Sequence, residues 1–202
     1  MKDLKYIGLL LFDGVEELDA VGPWEVISWW TRNHPEDGYR IITVADDLGA
    51  VTCAQGLRML PENRLDQSPA FEVLIYPGGR GTRAHLTDRV RLDWVRAQRA
   101  SVPLMTSVCT GALVYAAAGI LHERPATTHW GSLDLLSSLD PTITVRPDDR
   151  FVDDGDTITS SGVSAGIDMA LHLVSRLAGP DRGREARRGI QYDPPAASTK
   201  EP

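Results

Sequence analysis

The chain has 202 residues, 42% of them hydrophobic and 24% charged, with 18 Gly, 13 Pro and only 2 Cys. That length and balance fit one globular domain and exclude a disordered segment, a collagen-like repeat or a disulfide scaffold. A formal net charge of −7 argues against a nucleic-acid binder, which needs clustered Lys and Arg against phosphate. No apolar run approaches the ~20 residues that span a bilayer, so no membrane partner is expected.

Residues 1–6 lead straight into a strand-like run and lack the cleavable small-residue site of a signal peptide, which predicts a cytoplasmic, reducing location. Two cysteines there are more naturally thiols than a disulfide. Residues 6–12 are continuously apolar, as in a strand buried on both faces, and Asp13-Gly14 breaks them. Pro23 is suited to a first helical turn, which predicts a short helix from Trp24 to Trp30. Residues 39–45 are β-branched and read as a second strand, and residues 51–59 as a weaker hairpin. Residues 73–76 form a third strand that stops at Pro77-Gly78-Gly79-Arg80-Gly81. Residues 88–100 look helical, with Val90, Trp94 and Val95 on one face.

A fourth strand, residues 102–108, switches at Cys109 into a buried helix of small residues that Gly119 stops. Residues 126–130 are a short strand followed by a helix over 131–139, and residues 142–145, 151–152 and 157–160 are short strands. Gly162 introduces a last strong helix with Ile167, Ala170, Leu171, Val174 and Ala178 in one apolar stripe, after which residues 181–188 add a further turn or two. Strands alternating with helices predict a single α/β domain over residues 1–192, three layers with a mostly parallel sheet covered on both faces. Residues 193–202 are a Pro-rich tail with little to bury, expected to be flexible.

In such folds ligands sit at the carboxyl ends of the strands. The turn Ser107-Val108-Cys109-Thr110-Gly111 is the most informative. A strand that becomes a helix within one residue leaves its junction side chain projecting from a sharp turn, the logic of a nucleophile elbow. The helix N-terminus favours negative charge and predicts a lowered thiol pKa. Cys53, inside a β-like stretch, is expected to be core. The Gly78-Gly79 loop can offer backbone N–H groups to an anion. Asp19, beside a thiolate, forms a like-charge pair, so its pKa should rise and suit proton transfer. Glu16 and Glu17 read as a solvated acidic turn. His129 could support the thiol or be a packed histidine. The five histidines show no paired ligand spacing, so no metal site is expected.

The pattern Gly8 to Phe12, Leu18-Asp19, Gly22-Pro23, Pro77 to Gly79 and Thr106 to Gly111 resembles the ThiJ/PfpI superfamily. Ala118 to Leu121, Ala126 to Trp130, Ala165 to Asp168 and Gln191 to Pro195 bring it nearest the isocyanide (isonitrile) hydratases, with AraC-type regulators sharing a similar amino-terminal domain. The resemblance implies a class I glutamine amidotransferase-like, flavodoxin-like fold. It makes Cys109 the nucleophile, Asp19 the acid/base, and Thr110 and Gly79 donors of backbone N–H groups to the intermediate, with Gly78 and His129 supporting and Val163 lining the pocket. It also implies a homodimer, no cofactor, and a small, apolar isonitrile-like substrate. An apolar entrance from Trp24, Trp29, Trp30 or Trp130 would suit that substrate. Other superfamily chemistry (glyoxalase-type hydration or amide hydrolysis) and a non-catalytic small-molecule or oxidation sensor stay open. The absence of a helix-turn-helix after Tyr192 argues against a self-contained regulator.

Overall fold

The computed structural model describes residues 4–192; the tail predicted at residues 193–202 lies outside the described residues. In chain order the strands are β1 (Lys5–Leu10), β2 (Tyr39–Ala45), β3 (Val51–Thr52), β4 (Arg58–Met59), β5 (Asn63–Arg64), β6 (Phe71–Tyr76), β7 (Leu104–Val108), β8 (Pro125–Ala126), β9 (Thr144–Val145), β10 (Phe151–Asp153) and β11 (Thr157–Ser160). The helices are α1 (Glu17–Asn33), α2 (Thr82–His85), α3 (Arg89–Ser101), α4 (Gly111–Ala117), α5 (Leu133–Leu139), α6 (Ala165–Ala178) and α7 (Pro180–Gly189). Seven strands form one sheet in the order β10-β11-β7-β6-β1-β2-β5. Every pairing in it is parallel except β10 with β11. The predicted hairpin is the antiparallel pair β3–β4.

The apolar runs fall at the centre because both faces of the sheet are covered. Helices α1, α6 and α7 pack on one another, and α2 to α5 form a second group. Between these layers Ile7, Leu9, Leu10, Val73, Leu74, Ile75, Met105 and Val108 are buried, so the strands read as continuous apolar runs rather than alternating ones. Trp30 is fully buried, and its indole Nε1 donates to Asp37 Oδ2 at 2.7 Å, so the ring enters the core without an orphaned donor. Cys53 is buried in the core, as its sequence context predicts.

Two local expectations are corrected. The first helix begins at Glu17, not Trp24, so Pro23 lies well inside it and has no N–H for the carbonyl of Asp19 four residues back. Packing holds the helix there: Pro23 abuts Gly166, and Gly22 abuts Ile167, so α1 and α6 meet across small residues. Val90 is 81% exposed rather than on the apolar face, because Asp88 caps α3 by accepting from the N–H groups of Val90 and Arg91 and turns Leu92 and Val95 inward. The helical turns expected over residues 181–188 form α7, and its Gly183 is buried against Ser175 and Leu171 of α6.

Gly111 opens α4 where β7 ends, and a Cβ there would run into the carbonyl oxygen of Tyr76 at the end of β6. Gly111→Ala should therefore lower the unfolding free energy by on the order of 1–3 kcal/mol, read as a lower urea unfolding midpoint, despite the better helix propensity of Ala. An unchanged midpoint would mean that the two strand ends are not packed this closely.

Candidate active site

The direction of strand order reverses between β1 and β6, with β2 and β5 added on one side and β7, β11 and β10 on the other. Connections leaving neighbouring strand ends diverge at such a point and leave a crevice. The segments after β1, β6, β7 and β11 fill this crevice. They are tied together through the main chain: Glu16 N–H donates to the Gly78 carbonyl (2.9 Å), Gly81 N–H to the Gly14 carbonyl (3.1 Å), and Cys109 N–H to the carbonyls of Ser160 (3.0 Å) and Ser161 (3.2 Å).

Asp19 stands in the first turn of α1 and is completely buried. Its Oδ2 accepts from Gly78 N–H (3.0 Å), its Oδ1 accepts from Val163 N–H (3.1 Å), and the Cys109 thiol lies beside the same carboxyl. Only glycine fits at position 78, since a Cβ would lie 2.5 Å from Thr110 N and 2.7 Å from Asp19 Oδ2. Cys109 sits between β7 and α4 with φ 55°, and Val163, at the matching place before α6, has φ 54°. Both are left-handed conformations that non-glycine residues rarely adopt, and together they aim the sulfur and the Val163 N–H at the carboxyl.

Burial pushes the Asp19 pKa up from 3.8 to about 7, with the nearby charge of Glu16 adding to the rise and the bonds from Cys109, Gly78 and Val163 opposing it. Burial, and then the Asp19 charge, push the Cys109 thiol up to about 12, against the backbone N–H groups of Thr110 and Val163. The expected lowering of the thiol pKa by the helix N-terminus is thus overturned. Loss of hydration and a like charge outweigh the few N–H dipoles of α4. The two groups form one coupled unit that keeps a single proton from about neutrality upward.

The structure brings Asp19, Gly78, Cys109, Thr110 and Val163 together. Gly79 is close by, but its N–H donates to Thr110 Oγ1 (2.9 Å), while the Thr110 and Thr82 hydroxyls lie 3.2 and 2.8 Å from the Gly79 carbonyl. The Gly79 N–H is therefore engaged by the protein, and Thr110 N–H is the donor turned to the sulfur. Val163 does more than line a pocket, because its N–H holds the carboxyl. His129 makes no hydrogen bond to Cys109 among the described residues: its Nδ1 accepts from Gly131 N–H (3.2 Å), and its ring packs on Gly162. Of the tryptophans, Trp30 is core, Trp29 packs on Gly189, Trp130 is 80% exposed, and Trp24 lines an apolar groove with Val21, Leu57 and Leu60. They do not share one entrance. Among the described residues no three His, Cys, Asp or Glu side chains group as metal ligands, and no helix is long and apolar enough to cross a membrane.

A buried acid beside a thiol on a strained strand–helix elbow, at the switch point of a parallel sheet, defines a class of α/β proteins built around a cysteine at the carboxyl edge of the sheet. Residues 5–176 match the DJ-1/PfpI family, and the chain belongs to it. It is 39% identical over 189 residues to the isonitrile hydratase of Pseudomonas putida, covering 93% of this chain and 78% of that one. It is 29% identical over 184 residues to the HTH-type transcriptional regulator GbdR of Pseudomonas aeruginosa, covering 91% of this chain and 48% of the regulator, so it spans about half of that protein's length. A solved THiJ/PfpI family protein from Pseudomonas syringae superposes with a TM-score of 0.83 at 32% identity, covering 99% of this chain and 80% of the other.

Because the Asp19 pKa is raised from 3.8 to about 7, the folded chain holds a proton that the unfolded chain has released between those values. Stability contributed by this group is present below the unfolded value and lost as pH rises through that window. Asp19→Asn removes the loss. The difference in Tm between variant and parent should shift in the variant's favour by an amount corresponding to about 2–3 kcal/mol between pH 5 and pH 8. Melting curves at the two pH values check this, and a pH-independent difference would rule it out.

Proposed function

We propose that the protein is a cysteine-dependent hydratase that adds water to an isonitrile and releases an N-substituted formamide. The observation that carries this reading is the Cys109 thiol facing the buried Asp19 carboxyl. It is supported by 39% identity to an isonitrile hydratase over most of the chain. In the proposed reaction the Cys109 thiol passes its proton to Asp19, the sulfur bonds to the terminal carbon of R–N≡C, and Asp19 delivers that proton to the same carbon, giving a thioimidate, R–N=CH–S–Cys. Asp19, now a carboxylate, takes one proton from water as the water oxygen bonds to the carbon and passes it to the nitrogen, and the proton left on that oxygen returns to the pair as the carbonyl forms. The C–S bond then breaks, the formamide leaves, and sulfur and carboxyl again share one proton. No cofactor takes part in these steps. The main-chain donors Thr110 N–H and Val163 N–H would hold the charge on sulfur as it forms and departs. The same reading expects a homodimer acting in the cytoplasm on a small apolar substrate.

A second reading is a sensor domain, favoured by the identity to GbdR. Here Cys109 would bind a small molecule or be oxidised, with no turnover.

Incubation of the full chain with an alkyl isonitrile should release the N-alkyl formamide. Cys109→Ala should abolish this release, and Asp19→Asn should lower it by roughly 10²–10⁴-fold. Parent activity no higher than that of Cys109→Ala would reject the hydratase reading. In that event, a mass increase at Cys109 after mild peroxide would support the sensor reading.

A further inference from the structure

The elbow at Cys109 has a partner outside the four strand ends. Between β8 and α5 the chain crosses behind the site, and each of its residues 127–129 is anchored to a different part of it. Thr127 N–H donates to Thr159 Oγ1 (2.9 Å) on β11. The Thr128 hydroxyl donates to the carbonyl of Cys109 at 2.7 Å. The His129 ring lies on Gly162, the residue before Val163. Thr127 and Thr128 are buried, at 0% and 1% exposure, so these bonds form away from water. Among the described residues the Cys109 carbonyl has otherwise only a long contact of 3.4 Å from Ala112 N–H, the ordinary start of the α4 ladder.

A carbonyl is the rigid marker of its residue's dihedral angles. Left free, a cysteine at φ 55° would relax toward the right-handed region, and its side chain would swing with it. The N–H side of Cys109 is held by β11, through Ser160 and Ser161. The carbonyl side is held by one hydroxyl. We propose that Thr128 is a positioning residue for the nucleophile: its hydroxyl, by fixing the Cys109 carbonyl, keeps the sulfur directed at Asp19. The proposal rests on Cys109 being the reactive group of the proposed function, whatever the substrate.

Three variants of the full chain separate the hydroxyl from the methyl. Thr128→Val keeps the shape and loses the hydroxyl, Thr128→Ala loses both, and Thr128→Ser keeps the hydroxyl. Iodoacetamide alkylation of Cys109, followed by peptide mass spectrometry from pH 5 to pH 9, reads the placement of the sulfur relative to Asp19. Formamide release at saturating isonitrile reads kcat. In Thr128→Val and Thr128→Ala the alkylation profile should lose its dependence on Asp19, so that adding Asp19→Asn changes it no further. The kcat should fall about tenfold with KM unchanged, the effect of one lost buried hydrogen bond, and Thr128→Ser should restore both. Retention of the parent profile and kcat by Thr128→Val, or equal impairment of Thr128→Ser and Thr128→Val, would overturn the proposal. Should Thr128→Val fail to fold, Thr128→Ala against Thr128→Ser decides on the same terms. The alkylation arm uses no isonitrile, so a parent without turnover would reject the hydratase reading while leaving this test intact.

Discussion

Everything distinctive in this chain depends on one buried carboxyl. Asp19 is fully removed from water, and an ionised carboxylate in that position is tolerated only with hydrogen bonds in place of hydration. Its surroundings come from three different strand ends: the donors are the Gly78 N–H after β6 and the Val163 N–H after β11, and the thiol at the end of β7 lies beside it. Asp19 itself follows β1. Four segments must therefore meet within the tolerance of a hydrogen bond, and only a sheet rigid over its central strands can hold them so. This requirement explains why α1 begins early enough to put Asp19 in its first turn, even though Pro23 then falls inside the helix.

The same requirement explains where strain is found. Cys109 and Val163 both adopt left-handed backbone, each at a cost of order 1–3 kcal/mol. Both stand between a parallel strand and the helix that follows it, where the surrounding main-chain bonds leave no alternative. The large apolar core, with Trp30, Tyr76 and Tyr115 fully buried, offsets these local penalties. Stability is thus concentrated in the sheet and spent on conformations at its carboxyl edge that would not persist in a loop.

The sheet was legible in the sequence because strands covered on both faces leave an unmistakable trace of uninterrupted apolar runs, as at residues 6–12 and 73–76. The elbow was legible too, since Cys109 stands where a strand pattern meets a helix pattern without a linker. Three features were not. The start of α1 was hidden because Pro23 reads as an initiator, and only the packing of Gly166 and Ile167 against α1 reveals that it can be internal. The role of Val163 was hidden because a backbone N–H carries no residue-type signal; its positive φ has no trace in a valine side chain. The raised thiol pKa was hidden because a helix N-terminus can be read from sequence while burial beside a carboxylate cannot. The Thr128 bond is similar, since Ala126-Thr127-Thr128-His129 reads as an unremarkable short strand.

The electrostatics of the pair also bear on what it can act upon. The largest influences on Asp19 and Cys109 are burial, each other, Glu16 and main-chain N–H groups. The unit already bears one negative charge above neutrality. A carboxylate or phosphate substrate would add like charge in a site of low dielectric, where such repulsion is strongest. A neutral molecule avoids that penalty. If its reaction places negative charge on the atom that sulfur attacks, the shared proton is in reach to quench it. An isonitrile has this property, because its terminal carbon accepts the nucleophile and the proton in turn, and the pair returns to its starting charge when the formamide leaves. Under the proposed function, the charge balance of the pair thus favours a neutral electrophile over an anionic one.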